Sequence, residues 1–326
     1  MPLASIIVPA FNVAKTLSAT LDALLGQTFT DYEIIVVNDG STDATATVLQ
    51  EYEGIASIRV ITQRNRGLAG ARNSGIAAAR GLYIGFCDAD DLWLPEKLGR
   101  HVAHLQSAPH IGVSYSGSAL IDDNGAPLGM SQTPQLTNIT AAHIFKRNPI
   151  GNGSAPVIRR AVFTAIAYRP ASEKTRDWYF DETFRQSEDI ECWLRIALTT
   201  KWQFEGIEGN LTHYRINAGG LSAATDLQLA AWERMVANLS RIAPTFFDRY
   251  ARPARAYQLR YLARRAISDK DTGRACDLLA QSLAQSWAPL WEEPRKSVTT
   301  FAAALVLRIG GPLALDVVMN RAGAKA

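Results

Sequence analysis

Two short segments constrain this chain more than any other feature. "ASIIVPA" (4–10) and "YEIIVV" (32–37) are apolar and β-branched at consecutive positions. A strand with one face in water alternates apolar and polar side chains. A strand apolar on both faces must be covered on both, as in a parallel sheet between helix layers. Between the two segments, Leu17, Leu21, Leu24 and Leu25 recur at helical spacing. Ser41 or Thr42 is placed to cap a second helix running to about Tyr52. "SIRVI" (57–61) predicts a third strand, "GARNSGIAAAR" (70–80) a third helix and "LYIGFC" (82–87) a fourth strand. Strand and helix therefore alternate over the first 105 residues, which argues for an α/β domain.

Beyond Pro109 the pattern changes. "IGVSYSGSALID" (111–122) predicts a strand followed by the turn "DDNGAP", and residues 123–160, rich in Gly, Pro, Asn and Thr, read as loop. "IECWLRIAL" (190–198) carries a helical apolar stripe of Ile190, Trp193, Leu194, Ala197 and Leu198. "KWQFEGI" (201–207) and "LTHYRI" (211–216) predict two strands, and from about 226 the chain reads as helical. The expected division is a catalytic-type domain over 1–225, with halves 1–105 and 106–225, and a helical region over 226–326.

Composition sets outer limits. The chain is 47% hydrophobic and 20% charged, enough to bury a substantial core. Cys87, Cys192 and Cys276 form no CxxC pair and no disulfide framework, which points to a reducing compartment. "MPLASIIVPA" reads as a first strand rather than a signal peptide. Lys and Arg number 20 against 24 acidic residues over 1–240, and 14 against 7 over 241–326. A basic tail on a mildly acidic body suits an anionic partner, or a solvated helix surface. Nothing in this pattern calls for nucleic acid.

The chemistry gathers at strand ends. In an open parallel sheet ligands bind beyond the carboxyl ends of the strands. Strand one ends in "PAFN", strand two in "NDGSTD" and strand four in "DADD". Phe11, Asp39, Asp88 and Asp90 should then share a rim, with Arg72 within reach. An aromatic face, a carboxylate, an arginine and an acidic pair describe a nucleoside-diphosphate site, with Mg2+ or Mn2+ shared between carboxylate and phosphate. A dinucleotide-dependent oxidoreductase would need a G-x-G-x-x-G turn where "PAFNVAKT" stands, so that reading is rejected.

The stretches "SIIVPAFN", "DYEIIVVNDGSTDAT", "RNRGLAGARNSGIAAARGLYIGFCDADD" and "SEDIECWLRIA", in this order, resemble family 2 glycosyltransferases of the GT-A fold. The resemblance implies a Rossmann-like, mostly parallel sheet with a helical C-terminal extension. It also implies inverting transfer of a sugar from a nucleotide-diphosphate donor, a UDP-sugar above others, to a glycan or lipid-linked hydroxyl. Residue by residue, Pro9 and Phe11 look like the strand end that packs on the nucleobase, Asp39 its hydrogen-bonding partner and Arg72 a basic nucleotide contact. Asp88 looks like a ribose or metal contact, Asp90 the direct metal ligand and Asp189 the catalytic base, with Glu188 next to it as a candidate acceptor contact. Asp39 also suits a turn and helix cap, and "SED" an N-cap cluster. Asp91 reads as a cap or solvated residue and His213 as structural. Trp178 and Tyr179 suit either a sugar-stacking or a core role. Relatives often carry His two residues after the "YR" pair, where this chain has Asn217.

A processive synthase would carry transmembrane spans and Q-x-x-R-W, and neither is found. The alternative function is a catalytically silent nucleotide-sugar-binding subunit. Residues 249–266 hold Arg249, Arg252, Arg255, Arg260, Arg264 and Arg265 with no acid, and "FAAALVLRIGGPLAL" (301–315) reads as too short and interrupted to span a bilayer. Either stretch suits an anionic membrane surface, with Leu259, Tyr261 and Leu262 supplying apolar burial. The expected setting is cytoplasmic and peripheral on the inner face of the plasma membrane. An oligomer contact is the other use for the tail.

Overall fold

Ala4–Ala10 (β1) is buried at every residue, as a strand covered on both faces must be. The structure, a computed structural model, describes residues 1–216 and 225–323. After β1 come α1 (Leu17–Leu25), β2 (Tyr32–Asn38), α2 (Thr45–Gln50), β3 (Ile58–Thr62), α3 (Gly67–Ala78), β4 (Tyr83–Phe86), β5 (Leu92–Trp93) and α4 (Lys97–Ser107). There follow β6 (Ile111–Ile121), β7 (Pro127–Gln132), α5 (Ala141–Arg147), β8 (Val157–Arg159), α6 (Arg160–Ile166), α7 (Glu188–Thr199) and β9 (Gln203–Arg215).

Among the described residues the strands form one nine-stranded sheet of order β3-β2-β1-β4-β8-β6-β9-β5, with β7 added on β6. The β3-β2-β1-β4 part is parallel throughout. Beyond it the sheet is mixed: β8 is antiparallel to β4 and β6, and β9 runs parallel to β6. Leu17, Leu21 and Leu24 of α1 share a core with Ile6, Val8, Ile34 and Val36, and the apolar face of α4 joins it through Leu98, Val102 and Leu105. At about 1.5–3 kcal/mol per fully buried large apolar side chain, this layer is a main source of stability.

Several expectations need correction. Residues 123–160 hold β7, α5 and β8, and β8 is the strand that joins the two parts of the sheet. A three-residue strand inside a Gly- and Asn-rich stretch has no periodicity to betray it. The two strands expected over 201–216 are one, β9; its register with β6 slips between Ile207 and Asn210, where Gly209 has φ +103°. Neither Ser41 nor Thr42 caps α2: the Asp43 carboxylate accepts from Thr45 N at 2.9 Å, while Ser41 Oγ accepts from Asn12 N at 3.1 Å.

The chain forms two compact units, Met1–Ile144 with Asn148–Ala223, and Phe145–Arg147 with Ala224–Ala326. In the second lie α8 (Thr225–Leu239), α9 (Pro244–Ser268), α10 (Thr272–Gln285), α11 (Ala288–Glu292) and α12 (Pro294–Gly323). Its core joins Leu259, Leu262, Leu278, Leu279, Leu307 and Leu315 from α9, α10 and α12. Leu259 and Leu262 are therefore interior, not available to a membrane. Arg260 is interior too, donating to Ser297 Oγ at 2.5 Å and paired with Glu293. The apolar segment expected to be short and interrupted lies within a helix whose Pro294–Val318 stretch is long and apolar enough to cross a bilayer, with a kink at Gly311 (φ +71°).

Candidate functional site

The ends of β1 and β2 are fastened together by Asn12. Its left-handed backbone (φ +55°) turns the chain, and its Oδ1 accepts from Thr42 N at 2.8 Å and Asp43 N at 3.3 Å. Asn is among the few residues that tolerate this conformation. The sequence reading passed over Asn12, although Asn after a strand is a usable turn signal. Pro9 lies within β1 opposite Val37, and Phe11, just past the strand, is 48% exposed. Asp39 is buried and fully used. Its Oδ1 accepts from Gln63 Nε2 (2.6 Å) and Arg66 N (2.9 Å), and its Oδ2 from Gly67 N (2.8 Å). It thus fixes the start of α3, which lies far along the chain, rather than capping the helix that follows "GSTD".

Helix α3 starts at Gly67, so Arg72 stands in its second turn rather than at its opening, and it is only 2% exposed. Its guanidinium joins two distant segments. Nη2 donates to Asp88 Oδ1 at 2.9 Å and Nη1 to Glu188 Oε1 at 2.7 Å. The rings of Phe86 and Phe180 lie 5.8 and 5.6 Å from it. Burial opposes the charge on Arg72, but the carboxylates of Asp88, Glu188 and Asp189 outweigh that cost and raise its pKa. Gly153 is the floor beside this pair: a Cβ there would lie 2.2 Å from Arg72 Nη2, so any larger residue would displace the guanidinium.

The "DADD" turn is held from behind. Asp88 N donates to Ser154 Oγ at 2.8 Å, and Ser154 Oγ donates to Asp91 Oδ2 at 2.5 Å. Arg215 closes the other side, N to Asp91 Oδ1 at 2.9 Å and Nε to the Asp90 carbonyl at 2.8 Å. Asp91 is therefore a buried brace for the turn, neither solvated nor a helix cap. Burial, then the charges of Asp88 and Asp90, push its pKa well up. Trp93 Nε1 donates to Ser154 O, and the buried Lys97 Nζ to Ala155 O at 2.8 Å. Asn152, whose Oδ1 accepts from Ser154 N at 3.1 Å, was missed as a support, as were Gly153, Ser154 and Lys97. Ser154 in a loop-like stretch carries no local signal, because its meaning comes from a contact with residues more than sixty positions away.

The "SED" pair opens α7 after Ser187, which has φ +59°. A serine in this left-handed region is strained, and such strain is commonly found at sites that must aim a side chain. Glu188 is buried against Arg72, with its pKa pushed up to about 7 by burial, which the nearby Arg72 opposes. Asp189 accepts from Ile190 N at 2.8 Å. Burial raises its pKa, opposed by Arg72. The helix N-terminus alone would have kept it low. Arg72 therefore brings Asp88 and Glu188 together, with Asp189 next to Glu188, while Phe11 and Asp39 belong to the β1 and β2 ends of the same sheet edge. Trp178 Nε1 reaches Glu173 at 3.3 Å, and Trp178 makes a bridge to Tyr168. His213 faces Leu92 in the β5–β9 pairing. Asn217 lies outside the described residues.

Asp88 and Asp90 are the rim residues that could hold a metal, and no group of three or more His, Cys, Asp or Glu suited to a metal occurs among the described residues. An oxygen-only pair fits a hard divalent cation that takes its remaining ligands from water and phosphate.

The model of "Glycosyl transferase family 2" matches residues 5–166. EpsJ, a glycosyltransferase of Bacillus subtilis, is 53% identical over 92 residues, 28% of this chain and 27% of that relative, so the chain spans well under two thirds of its length. WfaP of Escherichia coli, a UDP-Glc:alpha-D-GlcNAc-diphosphoundecaprenol beta-1,3-glucosyltransferase, is 31% identical over 228 residues, 68% of this chain and 81% of WfaP. Among solved structures, the mannosyltransferase PcManGT of Pyrobaculum calidifontis, in complex with GDP-Man and Mn2+, aligns with TM-score 0.56 at 18% identity over 94% of this chain and 86% of that one. The chain belongs to glycosyl transferase family 2 and has the GT-A fold.

Proposed function

We propose that the chain moves a sugar, with inversion, from a nucleoside-diphosphate donor to a hydroxyl of a glycan or lipid-linked acceptor, with Asp189 as the base. A UDP-sugar is the favoured donor and the inner face of the plasma membrane the favoured setting. One observation carries the reading: Arg72 ties Asp88 of the acidic turn to Glu188, the neighbour of Asp189, although the two carboxylates are far apart in sequence. A donor-side carboxylate and a candidate base are thereby held in one frame. The name of WfaP, with its UDP-Glc donor and diphosphoundecaprenol-linked acceptor, supports the same substrate classes here.

The chain's own residues then divide the work. Phe11 offers an exposed ring for a nucleobase. Asp88 and Asp90 would hold Mn2+ or Mg2+, which neutralises charge developing on the leaving diphosphate when bound. Asp189 takes the proton of the attacking hydroxyl, and its raised pKa moves it toward the operating range of a general base. Glu188, tethered to Arg72, keeps the start of α7 in place.

A screen of UDP-, GDP- and dTDP-sugars, read as nucleotide release with and without Mn2+ or Mg2+, tests the proposal. Asp90→Ala should abolish metal-dependent turnover while the fold is kept. Full activity in excess EDTA would remove the metal from the scheme, and a product of retained configuration would remove direct displacement. Donor binding with no transfer to any acceptor would favour the silent subunit.

A further inference from the structure

Helix α12 is apolar on two faces. Its inner stripe, Ala304, Leu307 and Leu315, is buried in the core of the second unit. Its outer apolar residues are not: Leu305 and Ile309 precede the Gly311 kink and Leu313 and Val317 follow it, with Ile309 79% and Leu313 81% exposed. Just before this helix, Trp287 and Trp291 stand 60% and 78% exposed. Within Pro294–Val318 the buried residues are Ser297, Thr300, Ala304, Leu307 and Leu315. So many large apolar side chains left in water along one segment mark a surface that a partner covers.

We propose that the outer face of α12, with Trp287 and Trp291, lies in the surface of an anionic lipid bilayer. Charge chooses the occupant. The region 241–326 holds 14 basic against 7 acidic residues. Arg295 and Arg308 stand exposed on α12 itself, and Arg241, Arg252 and Arg264 are exposed elsewhere in the unit. None of these five forms an ion pair with a carboxylate among the described residues. A second copy would bring the same cations against this face, whereas anionic headgroups neutralise them. Exposed tryptophans suit the boundary between headgroups and acyl chains. The helix lies in the plane rather than crossing, because crossing would pull Ala304, Leu307 and Leu315 out of the unit's own core. Of the two stretches that the sequence offers to a membrane, this selects 301–315, within α12, over 249–266, whose Leu259 and Leu262 are interior.

The inference rests only on the membrane setting proposed above. The full chain is sedimented with vesicles of phosphatidylcholine alone or mixed with phosphatidylglycerol, at low and high salt. Nucleotide release from the donor is measured in the same samples, which reports on sugar transfer separately. Wild type should bind the anionic vesicles, with blue-shifted tryptophan emission and weaker binding at high salt. The double variant Ile309→Glu, Leu313→Glu should lose at least about tenfold in partitioning, with unchanged unfolding midpoint and nucleotide release. Equal binding by the double variant, or no wild-type binding to anionic vesicles, would overturn the proposal. A self-association abolished by the double variant, without lipid binding, would assign the face to a second copy and overturn it likewise.

Discussion

Arg72 is 2% exposed and Ile309 79%. Each breaks the ordinary rule of burial, in opposite directions and in different units. The first unit sinks charge: Arg72, Asp91, Lys97 and Glu188 are all buried around one turn and one helix start. The second unit leaves large apolar side chains in water. Burial of charge is costly without partners, so the first unit surrounds each group with them, as Arg72 with Asp88 and Glu188. Exposed apolar groups cost little in the folded chain alone, so the second unit supplies no partners. The difference separates a site that must be rigid before its ligand arrives from a surface that waits for something to cover it.

The largest effect should follow from breaking the first pattern. Arg72→Met leaves Asp88 and Glu188 facing each other without their shared cation. Removal of one partner from a buried ion pair costs about 3–5 kcal/mol, and urea unfolding should show a loss of that size together with loss of transfer. A loss below about 1 kcal/mol would mean that the carboxylates find water or protons easily, and the contrast between units would weaken.

Next in size is the base. Asp189→Asn should keep donor affinity and lose at least about 100-fold in transfer rate. Glu188→Gln should keep more of the rate, since an amide oxygen can still accept from Arg72 Nη1. If Glu188→Gln is the dead variant and Asp189→Asn transfers normally, the two roles are reversed.

What could be read from sequence divides along similar lines. β1, β2 and β4 were legible because apolar residues fill both of their faces, β3 because its Ile58, Val60 and Ile61 are β-branched, and α1 and α7 because their stripes keep the helical period. The rim was legible where a motif sits in one stretch, as in "DADD" and "SED". Partners that arrive from afar were not. Ser154 braces Asp91, and Arg215 closes the same turn from β9. Arg72 gave a charge and a position but no hint that it would be buried between two carboxylates. Leu259, Tyr261 and Leu262 lie close together in sequence, yet only Tyr261 faces water, at 41% exposure. In a helix packed on two sides, the arginine pattern does not reveal which apolar residues are inside.

A smaller effect concerns Lys97. It is fully buried, donates to Ala155 O and lies with Nζ 4.8 Å from the Trp93 ring centroid. Burial pushes its pKa down to about 7 from 10.5. The folded state then binds this proton more weakly than the unfolded state. Its stability contribution is present above about 10.5 and is lost as pH falls toward about 7. Between these limits stability should rise with pH by up to about 1.4 kcal/mol per unit from this group. Lys97→Met should flatten that slope in denaturant titrations at several pH values. An unchanged slope would mean that Lys97 stays charged in the fold and that its neighbours stabilise it.

The smallest expected change sharpens the comparison within a single helix. Leu307 and Ile309 are two residues apart on α12, but Leu307 is 1% exposed and sits with Leu259 and Leu278 in the core. Leu307→Ala should cost about 2–5 kcal/mol through lost burial and the cavity left behind. Ile309→Glu removes an apolar group from water and replaces it with one that water prefers, so it should change stability by no more than about 0.5 kcal/mol. Thermal and urea unfolding of the two variants in lipid-free buffer would check this. If Ile309→Glu is as damaging as Leu307→Ala, the outer stripe is already covered in the isolated chain. The proposed bilayer contact would then lose its surface, and the second unit would have to be counted with the first, as a body whose irregularities are all satisfied from within.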